Sequence, residues 1–307
     1  MKTAFIFPGQ GSQYVGMGQD LVAAYPQARA VFQEADTVLG TAISAICFTG
    51  PENVLTDTLN AQPALLTHSV AVLRILQSAA PDLTPDFTAG HSLGEYSALV
   101  AAEAIDFGDA LVLVRERGRA MKAAGERNPG LMAAVLGMDG AALESVCRET
   151  GAQIANYNAP GQIVISGARG DMERAMSLAK ERGAKRVLPL AVSIASHSRW
   201  MESAASEFAE TVARTPLRVP RRPVISNVTA EPLGDVDAIR KELVVQLTAS
   251  VQWTRSIEYM AARQATRFIE VGPKDVLAGL VRRITKDVHA ISIGDVASLK
   301  AFIESKS

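Results

Sequence analysis

The sequence lacks most signs of secretion, membrane residence or nucleic-acid binding. It has only two cysteines, Cys47 and Cys147, far apart in the chain. No zinc-ligand spacing is present, and free thiols in a reducing compartment are expected rather than a disulfide. No apolar run approaches the ~18 residues that span a bilayer. The opening "MKTAFIFPGQGSQ" has an apolar run of about four residues before Gly-Gln-Gly, unlike a secretory signal, so a cytoplasmic location is expected. Aromatics make up only 5% and the net charge is -1. There is therefore neither a base-stacking platform nor an electrostatic footprint for nucleic acid. What remains is an ordinary globular composition, 48% hydrophobic and 21% charged over 307 residues. That suits one large domain, alone or carrying a smaller one.

Short apolar runs alternate with helical patterns. "TAFIF" (3–7), "DFTAG" (86–90), "RPVISN" (222–227) and "RFIEVGP" (267–273) read as strands. "QPALLTHSVAVLRILQSA" (62–79), "LGEYSALVAAEA" (93–104) and "GDALVLVRERGRAMKAAG" (108–125) read as helices. The last carries Leu111, Val114, Gly118 and Met121 on one stripe. This alternation predicts an α/β layer with a mostly parallel sheet. The middle differs. Strand, helix, strand, strand, helix, strand follow one another from "LMAAVLGM" (131–138) to "AKRVLPL" (184–190). That is the βαββαβ order of a ferredoxin-like unit. The expected organisation is a large domain of residues 1–126 and 193–307, with a small domain of 127–192 inserted in it and a substrate cleft between the two.

"GHSLG" (90–94) has the G-x-S-x-G form, between a strand and a helix. Such a turn exposes a serine, here Ser92, at a helix N-terminus, and the glycines permit the sharp bend. A serine hydroxyl needs a base to take its proton and donors to hold the oxyanion that follows. The amide of Leu93 is one such donor. Four histidines are available as base. His68 sits inside a helical pattern, and His91 adjoins the serine, where neighbouring side chains point apart. His197 and His289 remain. The chain order of an α/β-hydrolase favours the later one, whereas His197 lies where the chain returns to the cleft. Residue patterns alone leave this choice open. The glycine-rich "FPGQGSQYVGMG" after the first strand lacks the spacing of a dinucleotide site, yet it can bring backbone amides into the cleft.

Taken together, "FPGQGSQ" (7–13), "QPALLT" (62–67), "GHSLGEYSAL" (90–99), "RG" (117–118), "NYNAPGQIVISG" (156–167), "SH" (196–197), "QLTASVQW" (246–253) and "EVGP" (270–273) carry a resemblance over essentially the whole chain. It resembles the malonyl-CoA:acyl carrier protein transacylases, which are the loading enzymes of bacterial fatty-acid synthesis and the discrete acyltransferases of polyketide synthesis. The resemblance implies an α/β-hydrolase-like large domain with a ferredoxin-like insertion. It implies Ser92 as nucleophile, His197 as base, the amides of Gln10 and Leu93 as oxyanion hole, and Arg117 as the group that grips the malonyl carboxylate. It implies that the Gln246 backbone carbonyl orients the histidine, and that Asn156 and Asn158 line the cleft. Helical periodicity puts Arg115 and Arg117 on opposite flanks of the apolar stripe and does not choose between them. The Arg-Gly pair of the family selects Arg117.

The implied reaction is a two-step transfer from malonyl-CoA to the phosphopantetheine thiol of acyl carrier protein, by a monomer with no metal or bound cofactor. Ser196, before the histidine, leaves methylmalonyl open beside malonyl, and it too is expected at the cleft. An acyl hydrolase or a non-catalytic carrier-binding subunit are the competing readings. Arg117 disfavours the first, and the intact Ser92 and His197 disfavour the second. The basic runs "RVPRRP" (218–223) and "VRRITK" (281–286) read first as solvated surface, with contact to an acidic carrier protein or to CoA phosphates as the alternative.

Overall fold

A computed structural model describes residues 2–304. Among these residues the strands are β1 (Lys2–Phe7), β2 (Phe87–Gly90), β3 (Gly130–Leu136), β4 (Gln153–Ala159), β5 (Gln162–Ala168), β6 (Arg186–Pro189), β7 (Val224–Ile225), β8 (Ala265–Val271) and β9 (His289–Ile293). Five of them form a parallel sheet in the order β7-β2-β1-β8-β9. Helices cover both of its faces, so its strands are buried along their length instead of alternating with polar residues. The strand period of two then sorts β1 between two cores. Phe5 and Phe7 pack with Leu65, Leu66 and Tyr96 on one face. Ala4 and Ile6 pack with Phe268, Ile225 and Trp253 on the other.

The βαββαβ segment forms a separate antiparallel sheet in the order β4-β5-β3-β6. Helices Gly140–Thr150 and Arg169–Glu181 cover one face, around Val135, Leu143, Ile165 and Met172. The opposite face carries Met132 and Val164. Edge strand β4 is tied to the large unit by backbone bonds: Val251 N–H donates to the Ala155 carbonyl at 2.8 Å, and Tyr157 N–H to the Val251 carbonyl at 2.9 Å. That pairing holds Asn156 at the junction of the two sheets.

Two elements depart from the pattern read in sequence. "RPVISN" contributes a strand of only two residues, because Ser226 and Asn227 turn away from the sheet edge to make other bonds. The helix expected from Gln62 begins instead at Thr58, with the Asp57 carboxylate capping the Leu59 amide, and contains Pro63. Proline cannot donate to the carbonyl four residues before it. That carbonyl, of Leu59, is satisfied by Arg115 Nη1 at 3.0 Å.

One buried carboxylate in this core makes stability depend on pH. Glu270 on β8 accepts the Ala278 amide at 2.7 Å. Burial outweighs that bond and pushes its carboxyl from 4.5 up to about 7. The folded state therefore holds a proton that the unfolded chain has released, so stability is full below about 4.5 and falls as pH rises through about 7. Denaturant unfolding of Glu270→Gln across this range is expected to show a flatter profile than wild type. An unchanged slope contradicts the assignment.

Candidate active site

In a parallel sheet, all the carboxyl ends of the strands share one edge, and the site is built there. β2 runs into a tight turn and then into helix Gly94–Ala101. The turn is so close that a Cβ on Gly90 would lie 1.8 Å from the Gly94 carbonyl carbon. Ser92, at its apex, has φ +51°, a left-handed conformation that is costly for a residue with a side chain and needs support from its surroundings. Asn227, just beyond β7, supplies it: its Oδ1 accepts the Ser92 amide at 2.7 Å and its Nδ2 donates to the Gly90 carbonyl at 2.7 Å. Sequence reasoning missed Asn227. The available signal was its place at the carboxyl end of a strand of the parallel sheet.

Of the four histidines, His197 alone meets the serine. Its Nε2 lies 2.8 Å from Ser92 Oγ, and its Nδ1 lies 2.8 Å from the Gln246 backbone carbonyl. A carbonyl can only accept, so the ring proton sits on Nδ1 and Nε2 is left to accept from the serine hydroxyl. Burial first, and then the charge of Arg117, lower His197 from 6.5 to about 3, so the resting imidazole is neutral. Ser166 Oγ donates to the Ser196 carbonyl at 2.7 Å, which pins the histidine loop to the antiparallel sheet. His289 stands exposed at the start of β9, and His68 is buried within helix Thr58–Ala79. The His91 ring borders the same cavity but is bonded elsewhere, its Nε2 2.8 Å from Asn158 Oδ1.

Arg117 is almost fully buried, at 1% exposure. Its Nη1 donates to Gln62 Oε1 at 2.8 Å. Its Nη2 donates to Gln246 Oε1 at 2.8 Å and to Ser92 Oγ at 3.1 Å, and the guanidinium lies 5.6 Å from the centre of the Tyr96 ring. Gly118 permits this placement. A Cβ there would lie 2.7 Å from the Thr58 carbonyl oxygen, so only glycine lets helix Phe107–Arg127 press against helix Thr58–Ala79. Arg115 is spent elsewhere, on Leu59 and Asn60. The fold thus makes the choice that periodicity left open. Gln62, at the start of the stretch "QPALLT", is thereby a partner of the arginine.

Ser92, His197 and Arg117 open on one cavity of about 390 Å³, lined also by Gln10, Leu93, Asn156, Ser196, Met121 and Met132. Among the described residues, no protein acceptor takes the amide of Gln10 or of Leu93. Asn158 does not line this cavity, contrary to expectation. Residues i and i+2 of a regular strand share a face, but the β4 pairing shifts register on both sides of Asn156 and Tyr157, and Asn158 spends its amide oxygen on the His91 ring.

The family model described as the acyl transferase domain matches residues 4–300. The chain belongs to the acyl transferase domain family. This acyl transferase is 46% identical to the malonyl CoA-acyl carrier protein transacylase of Bacillus subtilis, over 99% of the chain and 97% of that protein. Its structure is similar to that of an acyl carrier protein S-malonyltransferase from Vibrio cholerae, with a TM-score of 0.94, 43% identity, and coverage of 98% of this chain and 100% of that one. It is also similar to a malonyl-transacylase solved in complex with its type II polyketide synthase acyl-carrier protein, with a TM-score of 0.96, 40% identity, and coverage of 99% and 100%.

The two basic runs of the acyl transferase lie away from this cavity. Arg218 pairs with Asp106, and Arg221 pairs with Glu103 at 3.2 Å. Both precede β7 and so stand at the amino edge of the parallel sheet, opposite the serine. Arg282 donates to the Ala290 carbonyl at 2.9 Å, and Arg283 to Gln162 Oε1 at 2.5 Å. Cys47 and Cys147 are both free and buried. Among the described residues, no helix is long and apolar enough to cross a membrane.

Proposed function

We propose that this acyl transferase moves a malonyl group from coenzyme A to the phosphopantetheine thiol of an acyl carrier protein, through an ester on Ser92. The observation that carries the reading is a serine oxygen 2.8 Å from a neutral imidazole and 3.1 Å from a buried guanidinium, at the floor of one cavity. The names of the full-length relatives support the same substrates.

In the first step, Ser92 Oγ attacks the thioester carbonyl while its proton passes to His197 Nε2. The amides of Gln10 and Leu93 hold the oxyanion. The intermediate collapses, the carbon–sulfur bond breaks, and His197 returns the proton to the departing CoA thiol. In the second step, the carrier thiol gives its proton to His197 and attacks the Ser92 ester. Collapse re-forms the serine hydroxyl and leaves malonyl on the carrier sulfur. Throughout, the Gln246 carbonyl keeps the Nδ1 proton in place. Arg117 pairs with the free carboxylate, which a guanidinium can hold by two parallel hydrogen bonds. Asn156 and Ser196 bound the acyl group, and Asn158 acts on the site only through His91.

This chemistry calls for no metal and no bound cofactor, and one chain supplies every group, so a monomer suffices. Cytoplasmic operation is part of the same reading.

Intact-mass measurement tests it. Incubation with malonyl-CoA is expected to add one malonyl group to the protein and none to Ser92→Ala. Subsequent holo-carrier protein is expected to take that mass up. In competition among malonyl-, methylmalonyl- and acetyl-CoA, the carrier is expected to emerge mainly malonylated. Rapid release of free malonate with no carrier loading would replace this reading with hydrolysis.

A further inference from the structure

Behind the nucleophile lies a carboxylate that the reaction above does not use. Glu95 occupies the first turn of helix Gly94–Ala101, three residues after Ser92, and is completely buried. Both of its oxygens are taken by donors. Oε1 accepts the Asn227 backbone amide at 2.8 Å and Asn227 Nδ2 at 3.2 Å. Oε2 accepts Gln246 Nε2. These two partners are the amide side chains that hold the site: Asn227 clamps the serine turn, and Gln246 reaches both Arg117 and the Ser92 carbonyl.

From this arrangement, and on the reading that Arg117 grips the malonyl carboxylate, we infer that Glu95 is a positioning residue that fixes which end of the Gln246 amide faces Arg117.

The reason is a matter of donors and acceptors. A guanidinium only donates, so Gln246 must turn its oxygen to Arg117 and its NH2 away. That NH2 must then meet an acceptor. It has two, the Ser92 carbonyl at 3.1 Å and Glu95 Oε2. A carboxyl group accepts at both ends, so Glu95 serves Asn227 and Gln246 together. A carboxamide at position 95 cannot. Its oxygen is claimed by the Asn227 backbone N–H, which cannot be turned round, and its NH2 then falls against the NH2 of Gln246. If Gln246 flips to relieve that clash, its own NH2 faces the guanidinium. Either way, two buried donors oppose each other, and the arginine loses its fixed aim.

Glu242 supports the same turn from behind, accepting Ser226 Oγ at 2.7 Å and the Val228 amide at 3.0 Å. Burial first, and then the charge of Glu242, push the Glu95 carboxyl well above the usual carboxylate range. When Glu95 is protonated its O–H donates to the Glu242 carboxylate beside it, and both of its oxygens keep lone pairs for Asn227 and Gln246, which an amide nitrogen does not.

The test uses the full chain as wild type, Glu95→Gln, Glu95→Asp, Gln246→Met, and the double variant Glu95→Gln/Gln246→Met. kcat and KM are measured for malonyl-CoA and for acetyl-CoA, which has no carboxylate for Arg117. Glu95→Gln is expected to raise KM for malonyl-CoA by on the order of tenfold, and to change kcat/KM for acetyl-CoA by no more than about threefold, the scale of a weakly coupled change. The double variant is expected to be no worse than Gln246→Met alone, because Glu95 acts through Gln246. Equal losses on both substrates, or losses that multiply in the double variant, would overturn the inference. Should Glu95→Gln not accumulate as folded protein, the other two single variants decide. Glu95→Asp keeps both oxygens and should retain the malonyl preference that Gln246→Met loses; the reverse overturns the proposal. A wild type with no preference for malonyl over acetyl instead refutes the reading of Arg117, which separates the two failures.

Discussion

Replacing His197 with alanine is expected to lower carrier loading by about 10³-fold or more, because general acid–base transfer contributes on that order. The geometry allows no substitute base. The nearest other imidazole, His91, is hydrogen-bonded to Asn158 and packs 5.6 Å, ring to ring, from Trp253. His289→Ala is the matched control. That residue is exposed at the start of β9, at the amino edge of the sheet, and its loss is expected to leave loading within about twofold, as for surface substitutions in general. Initial rates of carrier malonylation, measured with each variant at equal concentration, check both. A His289 variant as impaired as the His197 variant would mean that the alkoxide is generated by another route.

Arg117→Ala is expected to cut kcat/KM for malonyl-CoA by about 100-fold or more, the scale of a lost buried charge pair, and to shift preference toward acetyl-CoA. Two effects act together. The substrate carboxylate loses its partner in a cavity that offers no second buried cation beside it. The same substitution also removes a positive charge that lowers His197. Without that charge the protonated imidazole is less disfavoured, so the histidine rises from about 3, while burial, the larger cause, still holds it below 6.5. The acid limb of the acetyl reaction should therefore move to higher pH in the variant. A pH profile of kcat/KM with acetyl-CoA, compared between wild type and Arg117→Ala, measures this. Unchanged acyl selectivity would contradict the role given to Arg117, and an acid limb moving to lower pH would contradict the electrostatic coupling. Malonyl-CoA binding in wild type should act in the same direction as the substitution, since a bound carboxylate offsets the guanidinium charge.

How much of this could be read without coordinates varies with the range of the interactions involved. The nucleophile turn was legible because its signal is local: two glycines, a serine, a strand before and a helix after. The βαββαβ insertion was legible for the same reason, since each of its elements declares itself within a dozen residues by period two or period 3.6. Helix Thr58–Ala79 was misjudged at its start because Pro63 looks like a first-turn proline, and the compensation that tolerates it, Arg115 on the Leu59 carbonyl, comes from more than fifty residues away. Asn158 stands behind His91 and not on the cavity wall, because its place in the irregular pairing of β4, and its partner His91, exist only in three dimensions.

The roles of Asn227, Gln62 and Glu95 could not be read locally, although Gln62 and Glu95 lie in the quoted stretches "QPALLT" and "GHSLGEYSAL". Each acquires its role from a donor or acceptor that another element brings up to it. By itself, the sequence determined the kind of chemistry and the two-sheet plan, because turn geometry and apolar periodicity are properties of neighbours in the chain. Residue patterns left open which histidine meets the serine and which arginine is buried beside it until the resemblance was added, and only the tertiary structure shows the contacts they make and how the amides between them are turned. Hydrogen-bond direction depends on which atoms face each other across 2.8 Å, and no spacing along the chain encodes that.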